Sequence, residues 1–297
     1  MFEETKRHFI QENGVANGDT TKRSEIFQGY QRSTSVENRL KGTWTLGQYE
    51  KAYYYADRVF SVLKKNGVDE VYFSSTTSCI FCKESTNIRF SEHERKNASS
   101  ASTLYEAIRY EVKNALVCAK EIGIKTHALY WVVPDFHFAN CALTIKKAMD
   151  DVPYDGFKIH PFAQKWNLKD ERTAGLAEEI FDYAEKNKKR IVIHTGVDDF
   201  CSPKLFEKYI ASHKDVLVQL AHCRPLRQTV YMLEHYENVF CDSSMTNRET
   251  IAEIENNGLK NRVLYGSDFP ITHWREYKPD YDPTEKELSD FLTKIAK

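Results

Sequence analysis

Several apolar runs in this chain end on side chains that can bind a cation or move a proton. "IVIHTG" (191–196) delivers His194, "LAHC" (220–223) delivers His222, and "RVLYGSD" (262–268) delivers Asp268. "FKIHP" (157–161) adds Lys158 and His160, and "VFCDSS" (239–244) adds Asp242. Imidazole and carboxylate suit Zn²⁺ or a similar divalent ion, and a catalytic site leaves one coordination position to water. Each residue alone has a plainer reading. A lone histidine at a strand end is more often a hydrogen-bonded structural residue, and an aspartate after Gly-Ser can cap a turn. Two imidazoles and a carboxylate at the ends of three strands of one sheet would instead meet at one spot.

The elements that would position them recur along the chain. Seven β-branched or aromatic runs, at 68–76, 125–133, 155–160, 190–196, 216–222, 238–244 and 262–268, are mostly apolar over consecutive positions, as in strands covered on both faces. Helical patterns lie between them. Residues 46–67 and 102–123 repeat apolar residues at spacings of three and four and end on Gly67 and Gly123. In 173–189, Leu176, Ile180, Phe181 and Ala184 share a stripe; shorter candidates lie at 202–213, 225–236, 247–258 and 284–296. Strand alternating with helix predicts a parallel α/β sheet. No Gly-rich nucleotide loop follows any strand, and seven regular units favour a (β/α)8 TIM barrel whose first strand is absent or degenerate. The expected organisation is one domain over 1–297. Residues 1–45 form an irregular segment in which only "RHFI" (7–10) could be a strand stub.

"IVIHTG", "LAHC", "ENVFCDSS" and "RVLYGSDFP", in this order and at these intervals, resemble the second half of the amidohydrolase superfamily. The likeness is to its branch of aminocarboxymuconate-semialdehyde decarboxylase-like metal-dependent hydrolases. It implies one divalent metal, zinc by preference, at the mouth of the barrel. It makes His194 a metal ligand on strand five and Asp268 the strand-eight carboxylate, touching metal or its water. His222 becomes the acid/base or substrate-polarising imidazole on strand six. Lys158 and His160 fall on strand four as pocket residues. The family's H-x-H on the first strand has no counterpart: His8 stands alone and no other histidine precedes His93. Either that strand lies upstream of Met1 or the protein has lost it.

The chemistry so implied is hydrolysis of a small amide, ester or lactone by metal-activated water, with Asp268 carrying the proton. A non-oxidative decarboxylase of an unsaturated or aromatic acid on the same site is the alternative. A metal-free binding barrel is the third reading, supported by the missing H-x-H. Arg224 could hold a substrate carboxylate, or sit solvated on the first turn of the next helix. Composition narrows the partners. Lys+Arg 42 against Asp+Glu 43 gives a net charge of −1, which offers nucleic acid no basic field. No run approaches the ~20 apolar residues of a membrane span. Seven scattered cysteines read as reduced thiols of a cytoplasmic protein. "CIFC" (79–82) is a C-x-x-C without a clear helix behind it. The loops 11–44, 77–100 and 274–283 would shape the pocket, and a homodimer would fit relatives of this kind.

Overall fold

The computed structural model describes Ala56 and residues 59–75, 98–138, 143–164 and 166–268. The stub at 7–10, the Cys79–Cys82 pair, the loops at 11–44 and 274–283 and the helix at 284–296 lie outside them. So does most of 77–100, except that residues 98–100 already belong to a helix.

All seven expected strands are present: β1 (Glu70–Ser74), β2 (Lys125–Trp131), β3 (Gly156–Ile159), β4 (Arg190–His194), β5 (Val218–Ala221), β6 (Val239–Asp242) and β7 (Val263–Leu264). They pair in chain order, every neighbour parallel. Parallel neighbours need a crossover, and helices supply it. They are α1 (Ala98–Ile122), α2 (Pro134–Phe138), α3 (Ile145–Asp151), α4 (Pro161–Gln164), α5 (Glu171–Asn187), α6 (Glu207–Ser212), α7 (Leu226–His235) and α8 (Arg248–Asn256). The strands curl with helices outside, forming a partial (β/α)8 barrel. The expected helix at 202–213 is a 3₁₀ turn, Pro203–Phe206, running into α6. The sequence reading assigned no helix to α3. Thr144 caps it through Lys147 N (3.1 Å), but it is too short for a strong periodic signal.

Alternation along the strands divides the sheet into two chemistries. Phe157, Ile159, Ile191, Ile193, Val218, Leu220, Val239 and Cys241 are buried with the helices' Ile180, Phe181 and Tyr209. The intervening positions face the other way. Leu129, Val192 and Ala221 form a small apolar layer there. Lys158, paired with Val192, and His194, paired with Ala221, share that face, as does Asp242 at the end of β6. The outer face thus supplies the core and the inner face carries the reactive groups. The sheet needs Gly156 to close up, because a Cβ there would lie 2.3 Å from the Arg190 carbonyl oxygen.

α5 shows how local signals and packing agree. Asp170 accepts the N–H of Thr173 at 3.0 Å as N-cap, and Leu176, Ile180, Phe181 and Ala184 are all buried. Full burial of a side chain such as Phe181 contributes roughly 1.5–3 kcal/mol. No helix of the described residues is long and apolar enough to cross a membrane. The described cysteines Cys118, Cys201, Cys223 and Cys241 are buried.

His213 fastens α5 to the end of α6. Its ring, 5% exposed, donates from Nδ1 to the Tyr209 carbonyl (2.8 Å) and from Nε2 to Asp182 (3.1 Å). Both partners are acceptors, so the ring holds both protons in this arrangement. Burial works against that charge, but the hydrogen bonds to Asp182 and Tyr209 outweigh it and raise the imidazole above its usual pKa. A raised histidine pKa contributes stability that is complete below about pH 6.5 and fades as pH rises through the folded-state value. His213→Asn is expected to cost about 1–2 kcal/mol in urea melts at pH 5.5, narrowing towards pH 9. A pH-independent gap would contradict the ion pair.

Candidate functional site

The carboxyl ends of β2 to β5 bring four rings together. Trp131 stacks on His160 (centroids 5.2 Å, planes 9° apart), and His160 stacks on His194 (3.8 Å, 13°). His222 meets His194 edge to face at 4.7 Å. The register explains the order: Trp131 pairs with Lys158, Ile159 with Ile193, and His194 with Ala221, so successive strand tips are level. His194 and His222, named from the sequence as site residues, therefore meet, and His160 joins them.

The hydrogen bonds fix the tautomer of His222. Its Nδ1 lies 2.8 Å from Ser244 Oγ and 3.1 Å from the Ser244 carbonyl oxygen. The Ser244 hydroxyl is spent on Asp242 Oδ1, so Oγ and the carbonyl both act as acceptors towards the ring. The Nδ1 therefore carries the hydrogen and Nε2 keeps its lone pair. That lone pair faces His194 Nδ1 at 3.0 Å. Zinc–nitrogen bonds of about 2.0–2.1 Å in tetrahedral geometry place two ligand nitrogens about 3.3 Å apart, a few tenths of an ångström from this separation. The donor set thus fits either a hydrogen bond from His194 or two lone pairs on one cation. His160 is turned differently: its Nδ1 accepts the N–H of Ala163 at 3.2 Å, which leaves the hydrogen of the neutral ring on Nε2.

Electrostatics keeps these rings neutral. Burial, then the nearby Lys158 ammonium, pushes His222 down to about 4 against the opposing pull of Asp242 and Ser244. His194 is depressed by burial and then by His160, Lys158 and His222; His160 is depressed by burial, then by Lys158 and His222. Neutral imidazole is the form that ligates a metal.

Asp242 organises the rim. Its carboxylate accepts from Gln219 Nε2 (2.7 Å), Ser244 N (3.0 Å), His222 N (3.3 Å) and the Ser244 hydroxyl. These bonds hold β5's exit in a left-handed conformation, φ 75° at His222 and 50° at Cys223. Such residues cost on the order of 1–3 kcal/mol each and cluster at functional sites. Thr246 Oγ1 donates to the His222 carbonyl (2.9 Å) and Cys223 Sγ to that of Asp242 (3.0 Å), completing the brace. The sequence alone puts Asp242 at a strand tip and gives it no role. The only signal was a carboxylate followed by two serines.

Of the other residues singled out, Lys158 lies on the same inner face and acts on all three imidazoles. Arg224 acts on His194 and His222. It is half-buried in the connection before α7, which begins at Leu226, so it is not on that helix's first turn. Asp268 stands just beyond β7 with φ 51°, partly buried. Its loop is seated on the Asp242 brace, because a Cβ on Gly266 would lie 3.0 Å from Asp242 Cγ and Oδ1. A second set of donors, Glu178, Asp182 and His213, has ligand atoms within 4.8 Å of one another. Its two carboxylates are exposed, and it lies between α5 and the end of α6, away from the strand tips.

A family model described as amidohydrolase matches residues 106–292, well over half of the chain, and spans β2 to β7. A domain of unknown function matches residues 1–67. Comparison with curated proteins finds no match.

Two aspartates of the rim are expected to answer the same substitution differently. Asp242→Asn places an N–H₂ among donors and should lower stability by about 1–3 kcal/mol in denaturant melts. Asp268→Asn should cost less, since asparagine readily adopts a left-handed backbone. Equal costs would contradict the assignment of Asp242 as the brace.

Proposed function

Because the chain belongs to the amidohydrolase family, we propose that it is a metal-dependent hydrolase of a small amide, ester or lactone, with the His194–His222 pair at its centre. The observation that carries this reading is the 3.0 Å approach of His222 Nε2, its lone pair set by Ser244 and Asp242, to His194 Nδ1. His194 and His222 would hold the ion, with Asp268 on the same rim as the carboxylate of the set. A bound divalent ion lowers the pKa of water to near ~7 and polarises a carbonyl.

The remaining work falls to the chain's own groups. Asp268 accepts the proton of the attacking water and returns it to the leaving group, as a carboxylate at a strand tip can. The Ser244–Asp242 relay keeps His222 from turning over, since the opposite tautomer would face two acceptors with a bare Nδ1. Partners that fix a ligating histidine in this way are typically worth 10–100-fold in metal affinity or activity. His160 presents a neutral N–H donor beside His194, suited to a carbonyl oxygen gaining charge.

Decarboxylation on the same groups is the second reading, favoured by the two cations, Lys158 and Arg224, that act on the imidazoles. The test is a screen of zinc-supplemented protein against lactones, aryl esters and amides, with CO₂ release from aromatic acids followed in parallel. Hydrolysis that falls at least ~10²-fold in Asp268→Asn while the variant stays folded is expected for a general base. CO₂ release without hydrolysis would replace this reading by the decarboxylase. Turnover of neither kind, together with no effect of Asp268→Asn on ligand binding, would favour a binding barrel.

A further inference from the structure

Arg224 is the cation of this rim whose position the hydrolytic chemistry leaves unexplained. Its backbone N–H donates to Thr195 Oγ1 at 3.3 Å, and the Thr195 hydroxyl in turn donates to the Ala221 carbonyl, so the residue is pinned across the ends of β4 and β5. Its Nε is buried and has no hydrogen-bond partner, and no carboxylate pairs with it among the described residues. The Asp242 carboxylate of the same rim is already committed to Gln219, Ser244 and the His222 N–H. A buried donor on a cation, left without an acceptor, costs free energy that an anionic guest would offset. Arginine is also the side chain whose flat fork matches a carboxylate.

We propose that Arg224 is the anchor for a carboxylate on the substrate, placed beside the His194–His222 pair and assisted by the positive charge of Lys158. The proposal rests on the reading of that pair as the reacting centre, and it narrows the substrate to an acid: a carboxylate-bearing lactone, ester or amide. Two cations acting on the same neutral imidazoles, one from β3 and one from the exit of β5, make the rim a place where an anion gains and a second cation loses. A neutral carbonyl could accept the same hydrogen but would leave the guanidinium charge unpaired, whereas a carboxylate supplies both acceptor and counter-charge.

The experiment compares binding of benzoate and benzamide, matched in shape and different in charge, by calorimetric titration. It uses the full chain, once chelator-treated and once zinc-supplemented. Benzoate is expected to bind at least tenfold more tightly than benzamide in both preparations. Arg224→Gln should erase the preference. Arg224→Lys, which keeps a point charge but loses the fork, should retain part of it and serves as the check if the glutamine variant fails to fold. Equal affinity for the two probes would overturn the proposal, and so would a preference undiminished in Arg224→Gln. A preference seen only with zinc and surviving Arg224→Gln would make the metal the anchor, overturning this inference while the hydrolase reading stands. A preference that depends on Arg224 in protein retaining no zinc would uphold the subsite and remove the metal from the account.

Discussion

One carboxylate holds the rim of this barrel together. Asp242 gathers a side-chain amide from β5, the backbone N–H of His222, and both the N–H and hydroxyl of Ser244. Through His222 it sustains two consecutive left-handed residues that a free chain would relax. Through Ser244 it decides which nitrogen of His222 carries the hydrogen. Through its contact with Gly266 it seats the loop that leads to Asp268. The groups proposed to do chemistry are thus placed by a residue proposed to do none.

The wider fold makes such a brace workable. Each strand turns one set of side chains outward into a helix-covered core and the other inward, where the ionisable groups of the rim stand. Leu129, Val192 and Ala221 form the apolar part of that inner face, and Lys158 and His194 pair with Val192 and Ala221 beside them. Burial beneath the rings and the Lys158 charge beside them act in the same direction, so the imidazoles stay neutral with lone pairs available. The outer core sets the strand register, and the register sets the imidazole spacing.

Much of this was legible in the sequence. Strands covered on both faces leave continuous apolar runs, so all seven were visible, and the stripe of Leu176, Ile180, Phe181 and Ala184 announced α5. His194 and His222 were legible because each follows such a run at once. The role of Asp242 was not, because its partners Gln219, His222 and Ser244 come together only when β5 and β6 pair. The hydrogen on His222 Nδ1 was equally hidden, being set by a hydroxyl and a carbonyl rather than by any residue type. For Arg224 the sequence leaves open a pocket residue or a solvated first-turn residue of the next helix; Pro225 delays α7 to Leu226, and the side chain is half-buried before it. Helices as short as α2, α3 and α4 carry too few turns to leave a period.

The central claim is that His194 and His222 share one cation. It is tested most directly by measuring zinc per chain by plasma mass spectrometry after chelator treatment, zinc re-addition and desalting, in the wild type and in His222→Ala. The account predicts about one ion per chain in the wild type and a loss of most of it in the variant, since the substitution removes the fixed Nε2 lone pair. No retained zinc in the wild type, or full retention in His222→Ala, would contradict it.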